Sequence, residues 1–433
     1  MRPQQEWNAL QKATYRWLEA FDHPGNNKFI IHLIGTNGKG STGRTIALAL
    51  EKLLDEKVGH FVSPHVHCYE ERIMLQSRPI AHERSLEIQR AMKEKGEKEK
   101  LPYIPYFARS MVEALLAYRD EARVLVMEAG IGGLDDCTNL LSTAMTVFTT
   151  IDFDHRDRLG DTIEEIARAK AGVLQKGSLA VSANQRSEAA LVLREVAEAQ
   201  GASLHFFSPT QITKTHLLWK ERERPRLQFT FTGGMLSGDY EARLIGRHQL
   251  QNFGTALTAL EALLLPDSRV AGSLFSAAQF PSPESIQEAV HAAVAEAYLP
   301  GRLEMLSFNP MVFIDGAHNQ QAAKMLVENL DALSACAPGT GKEHVLLFGM
   351  HDGKLSREEQ EAFFAAFDAV YRIPVQDEGD DAVIEAMGKA MDAAYGAHPH
   401  ALFVAAGSLY LLDGAAHWVE KHSSKTDERR KNQ

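Results

Sequence analysis

A glycine-rich stretch at 35–42, GTNGKGST, contains the residues of this chain whose types and spacing have the clearest chemical meaning. Its glycines let backbone amides turn inward and approach phosphate oxygens closely, and Lys39 adds a positive charge between two of them. Ser41 and Thr42 begin a segment with helical spacing, and the N-terminus of a helix favours anions. Gly40 separates Lys39 from these hydroxyls, unlike in the usual G-x-x-x-x-G-K-S/T loop. We therefore predict a phosphate-binding loop of unusual spacing.

Three further residues, each at or just past the end of a predicted strand, could hold a magnesium ion. Glu128 suits this role because Mg²⁺ prefers oxygen ligands, usually one or two carboxylates together with phosphate and water. Ser63 could add a hydroxyl oxygen. His155 is a less usual ligand of Mg²⁺, and its position fits a hydrogen-bonded polar residue equally well.

Lys170 lies in a segment with helical spacing, IARAKAGV. This pattern alone is typical of a solvated lysine on a helix surface. If the side chain is buried, its pKa falls, and the neutral amine could react with carbon dioxide to form a carbamate that binds a metal. The sequence leaves both interpretations open.

The second half of the chain contains four short motifs with polar residues: GRHQLQN, PGR, DGAHN and GSLYL. Arg302, in the second motif, could contact phosphate because a planar guanidinium spreads its charge over several oxygens. Asp315 and His318 follow a predicted strand and are plausible site residues. Each of these residues, taken alone, is more often an ordinary structural or surface residue.

The elements that must position these residues alternate between strands and helices. Apolar runs that end in loops occur in FIIHLIG, HFVSPH, ARVLVMEAGIGG and TAMTVFTTIDFDH, and residues 162–174 have helical spacing. Such alternation predicts a parallel, doubly wound α/β sheet, in which ligands bind at the carboxyl ends of the strands. The candidate residues of the first half all follow strands, as this rule requires.

Beyond residue 200 the pattern changes twice. Short β-like runs between 204 and 245 (LHFFS, HLLWK, RLQFTFTG and YEARLIG) predict a small antiparallel patch, and helices follow at 252–265 and 285–296. Residues 299–302 form the expected linker, and a second α/β unit with strands in MVFIDGAHN, HVLLFGMH and ALFVAAGS follows. We therefore expect domains at 1–298 and 299–422, and a charged, disordered tail at 423–433.

Composition limits the class of protein. The net charge of −11 argues against nucleic acid as a partner, because a phosphate backbone selects basic surfaces. Cys68, Cys137 and Cys336 are too widely spaced for a disulfide framework or a C-x-x-C metal site. We see no signal peptide and no apolar run of the roughly 18 residues that a membrane helix needs. These features predict a cytoplasmic protein without a membrane partner.

Taken together, the motifs resemble the folylpolyglutamate synthase and dihydrofolate synthase family, a branch of the Mur ligase superfamily. They occur in order along most of the chain: GTNGKGST, FVSPHVHCYEERI, PYF, EAGIGGLDDCTN, IDFDH with RLGDTIEEIARAKAGV, HQLQN, PGR, DGAHN, FGMHDGK and GSLYL. The resemblance implies an N-terminal ATPase domain, a C-terminal Rossmann-like domain and a monomer. It also implies that ATP phosphorylates the carboxylate of a folate or pterin derivative, after which the amine of L-glutamate attacks the acyl phosphate.

The resemblance also implies a role for each matching residue. ATP contacts are expected from Asn37, Gly38, Lys39, Gly40, Ser41, Thr42, Asn252, Arg302 and Asp315, and ligands of one or two Mg²⁺ ions from Ser63, Glu128 and His155. Lys170 matches the carbamylated lysine, and His318 and Ser408 are candidates for the glutamate side. Tyr106, Phe107 and Asp136 are candidates for acceptor binding, and catalysis is expected to depend on Lys39, Lys170, Arg302 and His318.

Four positions depart from the family pattern. Leu134 stands where arginine is expected, Asp135 replaces leucine, and Ala108 and Ala169 each replace glutamate. Since Ala108 and Leu134 fall near the expected pterin pocket while the ATP residues are retained, we hypothesise that folate specificity is weakened, narrowed to one activity or redirected.

Three other interpretations remain open from the sequence. The chain could be a Mur-type amide ligase that acts on a different carboxylate, a nucleotide-binding regulatory protein that has lost catalysis, or a plain P-loop ATPase or kinase. The last of these does not explain Arg302 or the DGAHN motif.

Overall fold

The computed structural model describes residues 7–220, 223–265, 270–275, 280–336, 343–350, 355–375 and 380–431. The chain forms two compact units. The first comprises Met1–Lys214, Phe229–Glu241 and Gln249–Tyr298, and the second comprises Thr215–Gln228, Ala242–His248 and Leu299–Gln433. The last change of unit lies at the expected boundary after residue 298. The expected uninterrupted domain at 1–298 differs from the structure in the two short segments of the second unit, because contacts in space and not order in the chain define a unit.

The main sheet of the first unit has eight strands in the order β4-β3-β2-β5-β1-β6-β7-β8. Their bounds are β1 Phe29–Ile34, β2 Val58–Phe61, β3 Ile73–Leu75, β4 Arg78–Pro79, β5 Val124–Glu128, β6 Met145–Phe148, β7 Leu179–Ser182 and β8 Ser203–Phe206. The six strands β2-β5-β1-β6-β7-β8 run parallel to one another. At the edge, β3 pairs antiparallel with both β2 and β4. Every residue of β1 is buried, as expected for a central parallel strand covered on both faces. The predicted parallel, doubly wound sheet is confirmed.

Helices cover both faces of this sheet. The helices between residues 9 and 296 are α1 Ala9–Ala20, α2 Lys39–Leu54, α3 His82–Glu99, α4 Tyr106–Tyr118, α5 Arg156–Leu159, α6 Ile163–Ala171, α7 Ser187–Gln200, α8 Arg247–Leu263, α9 Ala271–Leu274 and α10 Pro283–Glu296. Two apolar clusters share one face of the sheet: one packs α1, α3 and α4 around Ile30 of β1, and the other packs α6 and α7 around Ile34 of the same strand. The opposite face is covered by α2, whose Gly43 lies against Leu33 and Val126. The helix predicted at 162–174 begins with a capping box between Thr162 and Glu165. This packing makes the strand ends a rigid base for the loops that follow them.

The small β-sheet contains one strand fewer than the four predicted between residues 204 and 245. The run LHFFS forms β8, which pairs parallel with β7 through Ala180 and Leu204, so it belongs to the main sheet. The reason is that α7 carries the chain back across the sheet, which makes the next strand parallel to the previous one. Only β9 Ile212–Leu218, β10 Arg226–Phe231 and β11 Gly238–Ala242 form the separate sheet, in the order β11-β10-β9.

The second unit contains a five-stranded sheet in the order β12-β13-β16-β14-β15. Its strands are β12 Glu304–Phe308, β13 Met311–Asp315, β14 His344–Gly349, β15 Ala369–Arg372 and β16 Leu402–Gly407, and its helices are α11 Gln320–Cys336, α12 Arg357–Phe364, α13 Asp380–Ala397 and α14 Leu409–Lys431. Only β12 is antiparallel to its neighbour. The predicted second α/β unit and its three strands are therefore present. Within the described residues, no helix is both long and apolar enough to cross a membrane.

The end of the chain differs from the expected disordered tail, because α14 continues to Lys431. Extending a helix that has already formed costs much less than nucleating one, and lysine, arginine and glutamate are good helix formers. A charged composition alone therefore does not stop a helix that begins in the packed part of the second unit.

Candidate active site

Residues 35–42 form the turn between β1 and α2 and the first turn of α2, in the order strand, loop, helix that the sequence predicts. Glycine is required at two of these positions. Gly38 caps α2 with φ of +90°, and a Cβ atom there would lie 2.2 Å from the Asn252 Oδ1 atom. A Cβ atom on Gly35 would lie 2.0 Å from the Thr149 Oγ1 atom. Both positions therefore exclude any side chain. At Gly38 the backbone angle and the nearby Asn252 exclude it, and at Gly35 the nearby Thr149 does.

Neighbouring backbone holds this loop in place. The N–H groups of Thr36 and Asn37 donate to the Thr150 carbonyl at 2.7 and 3.3 Å. The Thr42 hydroxyl lies 3.5 Å from the Asn252 carbonyl, and the Asn252 side chain donates to Gln249 Oε1 at 2.9 Å. The structure thus brings Asn252, a predicted ATP contact from α8, against the loop.

Lys39 and Glu128 face each other across the ends of two neighbouring strands. The Lys39 Nζ atom lies 3.7 Å from the Glu128 Oε1 atom, and it also donates to the carbonyls of Gly35 and Thr36 at 3.2 Å each. Glu128 is buried at the last residue of β5, opposite Leu33 of β1. Two residues that are far apart in the sequence therefore form one charged pair beside the phosphate loop.

Ser63 joins this group from the next strand. Its backbone N–H donates to the Glu128 Oε2 atom at 3.3 Å, and its hydroxyl oxygen accepts from the Arg72 Nη1 atom at 2.9 Å. Because β2 pairs parallel with β5, their carboxyl ends meet at the same edge. The predicted magnesium ligands Ser63 and Glu128 are therefore brought together.

His155, the third predicted ligand, caps α5 with φ of +47°. Its backbone N–H donates to the Asp154 Oδ1 atom at 2.9 Å, and its Nε2 atom lies 3.9 Å from Asp154 Oδ2. The described residues contain no group of three or more His, Cys, Asp or Glu that could hold a metal by themselves. The donor set around Glu128 therefore fits Mg²⁺ only where phosphate and water supply most ligands, as Mg²⁺ commonly requires.

Lys170 is buried, with only 2% of its surface exposed. Its amine donates to the carbonyls of Ile131 at 2.8 Å and Gly35 at 3.3 Å. Burial, assisted by the nearby charge of Lys39, lowers the pKa of Lys170 to about 7, although two aspartates oppose the shift. Of the two interpretations that the helical pattern left open, a buried amine of low pKa is the one the structure shows.

Asp136 uses both carboxylate oxygens within its own loop. Its Oδ2 atom accepts from the Gly132 N–H at 2.8 Å, and its Oδ1 atom accepts from the Thr138 N–H and hydroxyl at 2.9 and 2.6 Å. The Gln11 side chain donates to the carbonyls of Leu134 and Asp136 at 2.9 and 3.1 Å. Asp136 therefore shapes the loop that carries Leu134. Gln11 was missed because nothing in the pattern of α1 distinguishes it.

The residues predicted to bind the acceptor differ in exposure. Tyr106 is 45% exposed and Leu134 is 37% exposed. Phe107, in contrast, packs its ring against Phe61 at a centroid distance of 5.6 Å. Ala108, where the family pattern has glutamate, is 2% exposed. Tyr106 and Leu134 are thus available to a ligand, whereas residue 108 acts through packing.

Arg72 is a candidate residue that the sequence did not single out, although it lies within a quoted motif. Its Nε atom donates to the His65 Nδ1 atom at 2.8 Å, in addition to the contact with Ser63. Its guanidinium carbon lies 4.9 Å from the centroid of the Tyr106 ring. The sequence around Arg72 has no periodicity that would reveal these neighbours.

The second unit positions four predicted residues near its own strand ends. The Asp315 Oδ2 atom accepts from the Leu303 N–H at 2.8 Å, and the His318 Nδ1 atom lies 2.7 Å from the Gly316 carbonyl. Burial raises the pKa of Asp315 to about 6, against the opposing charge of Arg302. Ser408 follows β16, and its N–H donates to Gly349 at 2.7 Å. Asp315 and Arg302 therefore interact electrostatically.

The chain is similar in sequence to a known family and to characterised enzymes. The Mur ligase middle domain matches residues 34–260. A dihydrofolate synthase/folylpolyglutamate synthase of Bacillus subtilis is 33% identical over 320 residues, which cover 71% of this chain and 69% of that protein. A folylpolyglutamate synthase of Lacticaseibacillus casei is 29% identical over 368 residues, with coverage of 83% and 79%.

Solved structures are similar over nearly the whole chain. The apo form of L. casei folylpolyglutamate synthase (FPGS) has a TM-score of 0.76 and 26% identity, and the match covers 97% of both chains. A complex of FPGS with AMPPCP and folate has a TM-score of 0.74 and 26% identity, with coverage of 96% of this chain and 97% of that one.

Replacement of Gly38 by alanine tests the loop geometry. We expect Gly38→Ala to weaken ATP binding by about ten- to a hundredfold, because the strained φ and the contact with Asn252 displace the loop amides. Isothermal titration calorimetry measures the change. Gly177→Ala is the matched control, since Gly177 also has positive φ, of +68°, but no atom lies within 4 Å of its Cβ position. Equal affinities for the two variants would contradict the prediction.

Replacement of Lys170 by methionine tests the buried amine through pH dependence. Since the pKa is lowered from 10.5 to about 7, the unfolded state binds more protons between these values, and the stability of the wild type rises with pH across that window. Methionine removes this effect. We expect the Tm of Lys170→Met minus that of the wild type to fall as pH rises from about 7 to about 10 in buffer freed of carbon dioxide. A difference that stays constant with pH would refute a buried amine.

Proposed function

The chain belongs to the dihydrofolate synthase/folylpolyglutamate synthase family, and from this premise we propose that it is an ATP-dependent ligase. It joins L-glutamate to the carboxylate of a folate or a dihydropteroate through an acyl phosphate. A relative with this architecture forms a complex with an ATP analogue and folate, which supports both the nucleotide and the acceptor class.

The observation that carries the proposal is the meeting of charged residues at the phosphate loop. The Gly35 carbonyl accepts from both Lys39 and Lys170, at 3.2 and 3.3 Å, and Lys39 also approaches Glu128. Two lysines and a carboxylate around one loop are expensive to bury, so their retention indicates a reaction that needs them. A protein that only binds a nucleotide would not require the buried Lys170.

In the proposed reaction, an acceptor carboxylate attacks the γ-phosphoryl group, the new O–P bond forms and ADP leaves. The amine of glutamate then attacks the acyl carbon, and phosphate leaves with the electrons of the broken bond. Lys39 and the loop amides stabilise the negative charge on the moving phosphoryl group. The first step is therefore catalysed mainly by positioning the carboxylate and ATP and by stabilising the charge on the phosphoryl group.

A magnesium ion, when bound, supplies charge neutralisation between the phosphates. We propose Glu128, Ser63 and His155 as the residues that hold it. Glu128 fits best because its carboxylate is buried at a strand end, with Ser63 adjacent to it. The scarcity of other protein ligands is consistent with an ion that arrives with the nucleotide.

We also propose that Lys170 is carbamylated. A pKa of about 7 leaves a substantial fraction of the amine neutral near pH 7, and a neutral amine is the form that reacts with carbon dioxide. The carbamate would turn a buried amine into a buried oxygen ligand close to the phosphate loop.

We propose that the remaining predicted residues bind the substrates of this same reaction. Asn252, Arg302 and Asp315 are assigned to ATP, and His318 and Ser408 to glutamate. The contact of the His318 Nδ1 atom with the Gly316 carbonyl at 2.7 Å fixes the orientation of the imidazole ring.

We propose that Leu134 and Ala108 restrict this chain to a narrower range of acceptors than the relatives that carry both activities in their names. Exposed Leu134 stands where arginine is expected, so it removes a charge that an anionic acceptor could use. The same observation favours the second candidate function, a Mur-type ligase for a different carboxylate.

Turnover with defined acceptors distinguishes these functions. We expect ADP release that requires both L-glutamate and an acceptor, a product heavier by one glutamyl residue, and kcat/KM values that differ by at least about tenfold between dihydropteroate and tetrahydrofolate. Coupled ADP assays and mass spectrometry measure both. Equal efficiency with the two acceptors would exclude the narrowed specificity, and ATP binding without acceptor-dependent ADP release would exclude the ligase.

Replacement of Glu128 by glutamine tests the proposed ion site. We expect kcat to fall by about a hundredfold and the Mg²⁺ concentration for half-maximal turnover to rise, because an amide oxygen carries less charge than a carboxylate. Glu188→Gln is the control, since Glu188 is an exposed carboxylate of α7. An unchanged Mg²⁺ requirement in Glu128→Gln would remove Glu128 from the ion site.

A further inference from the structure

Arg72 is a buried guanidinium whose hydrogen bonds all go to neutral groups. It ends the short 3₁₀ turn Tyr69–Arg72 and is only 7% exposed. Its contacts are the Ser63 hydroxyl at 2.9 Å, the His65 Nδ1 atom at 2.8 Å and the face of the Tyr106 ring. Each of these orients the guanidinium, but none neutralises its charge.

The nearby carboxylates are directed elsewhere. Glu70 contacts the His82 Nδ1 atom at 2.8 Å, and Glu71 accepts from the Val66 N–H at 2.8 Å. Among the residues that the structure describes, no carboxylate forms an ion pair with Arg72. A buried charge without a counterion is costly, so its retention indicates an anion that binds there during function.

The Arg72 guanidinium also has N–H groups that its hydrogen bonds within the protein do not use. An arginine has more N–H groups than its contacts with Ser63 and His65 use. Among the described residues the Nη2 atom has no hydrogen-bond partner, and it is not one of the fully buried polar atoms that lack one, so it is exposed to solvent. A planar guanidinium with free N–H groups matches the two oxygens of a carboxylate.

Arg72 lies between the phosphate side of the site and an aromatic surface. On one side, Ser63 contacts Glu128 at 3.3 Å, and Glu128 approaches Lys39 at 3.7 Å. On the other side, the half-exposed ring of Tyr106 lies 4.9 Å from the guanidinium carbon. A ligand with an aromatic group on Tyr106 could therefore present its carboxylate to Arg72 and toward the phosphate loop.

We infer that Arg72 binds the carboxylate of the aromatic acceptor, the group that becomes phosphorylated, while Tyr106 contacts the aromatic part. This inference rests on the proposed ligase function and names the residue that places the attacking oxygen. Arg72 forms and breaks no bond in the reaction. It holds the carboxylate oxygens while one of them forms the bond to phosphorus and ADP leaves.

A double-mutant cycle between the protein and the ligand tests the inference. The probes are dihydropteroate and the analogue in which a carboxamide replaces its carboxylate. We expect the wild type to bind the carboxylate form more tightly by about ten- to a hundredfold, and Arg72→Met to lose this preference. Arg72→Lys keeps the charge without the planar fork, so it should keep part of the preference.

Arg109→Met is the matched control, because Arg109 also has its guanidinium over the Tyr106 ring, at 5.6 Å, but is exposed. We expect this variant to keep the preference for the carboxylate. Affinity for AMPPCP with Mg²⁺ is measured in parallel, and in Arg72→Met it should stay within about threefold of the wild type.

Several outcomes overturn the inference. The first is that Arg72→Met keeps the preference for the carboxylate. If this variant also loses affinity for AMPPCP, Arg72 serves only to position Ser63. A wild type with no preference for the carboxylate overturns it as well. If circular dichroism shows that Arg72→Met does not fold, Arg72→Lys decides, and an unchanged preference in it counts against the inference. Carboxylate-selective binding without glutamate ligation by the wild type would reject the proposed function alone.

Discussion

The parallel register of β1 between β5 and β6 is the constraint on which the proposed active site depends. It places Leu33 opposite Glu128 and Ile34 opposite Phe148, so that the phosphate loop and Glu128 emerge at the same edge. The pairing of β5 with β2 brings Ser63 to that edge as well. A shift by one residue would turn Glu128 to the opposite face of the sheet and separate it from Lys39.

The charges held at this edge work against the stability of the fold. Lys170 and Lys39 share the Gly35 carbonyl, and the resulting burial and repulsion explain the low pKa of Lys170. Arg72 has no carboxylate partner among the described residues. The apolar clusters that pack against the sheet offset such costs, which allows the strand ends to hold groups that a substrate or nucleotide completes.

The acceptor side combines retained and altered features. Tyr106 and Arg72 form an aromatic surface beside a cation, which suits an aromatic carboxylate. Leu134, exposed in a loop shaped by Asp136 and Gln11, replaces the arginine of the family pattern. A retained phosphate side with a changed acceptor side supports the proposal that the reaction with ATP is kept while the choice of acceptor differs.

The sequence predicts much of the fold and the phosphate side of the proposed site, because both depend on short stretches of local sequence. A glycine such as Gly38 is required by its own backbone angle, and apolar runs bounded by turns identify buried parallel strands such as β1. The acceptor side was less predictable, because Gln11 and Arg72 gain their roles only from distant neighbours.

The sequence by itself therefore determined the parallel α/β sheet and the glycine-rich loop between β1 and α2. Only the tertiary structure decided that β8 joins the main sheet, that Lys170 is buried, and that Arg72 lacks a carboxylate partner among the described residues. The physical reason is that strand partners, burial and the neutralisation of charge are set by residues distant in the chain, which no local spacing records.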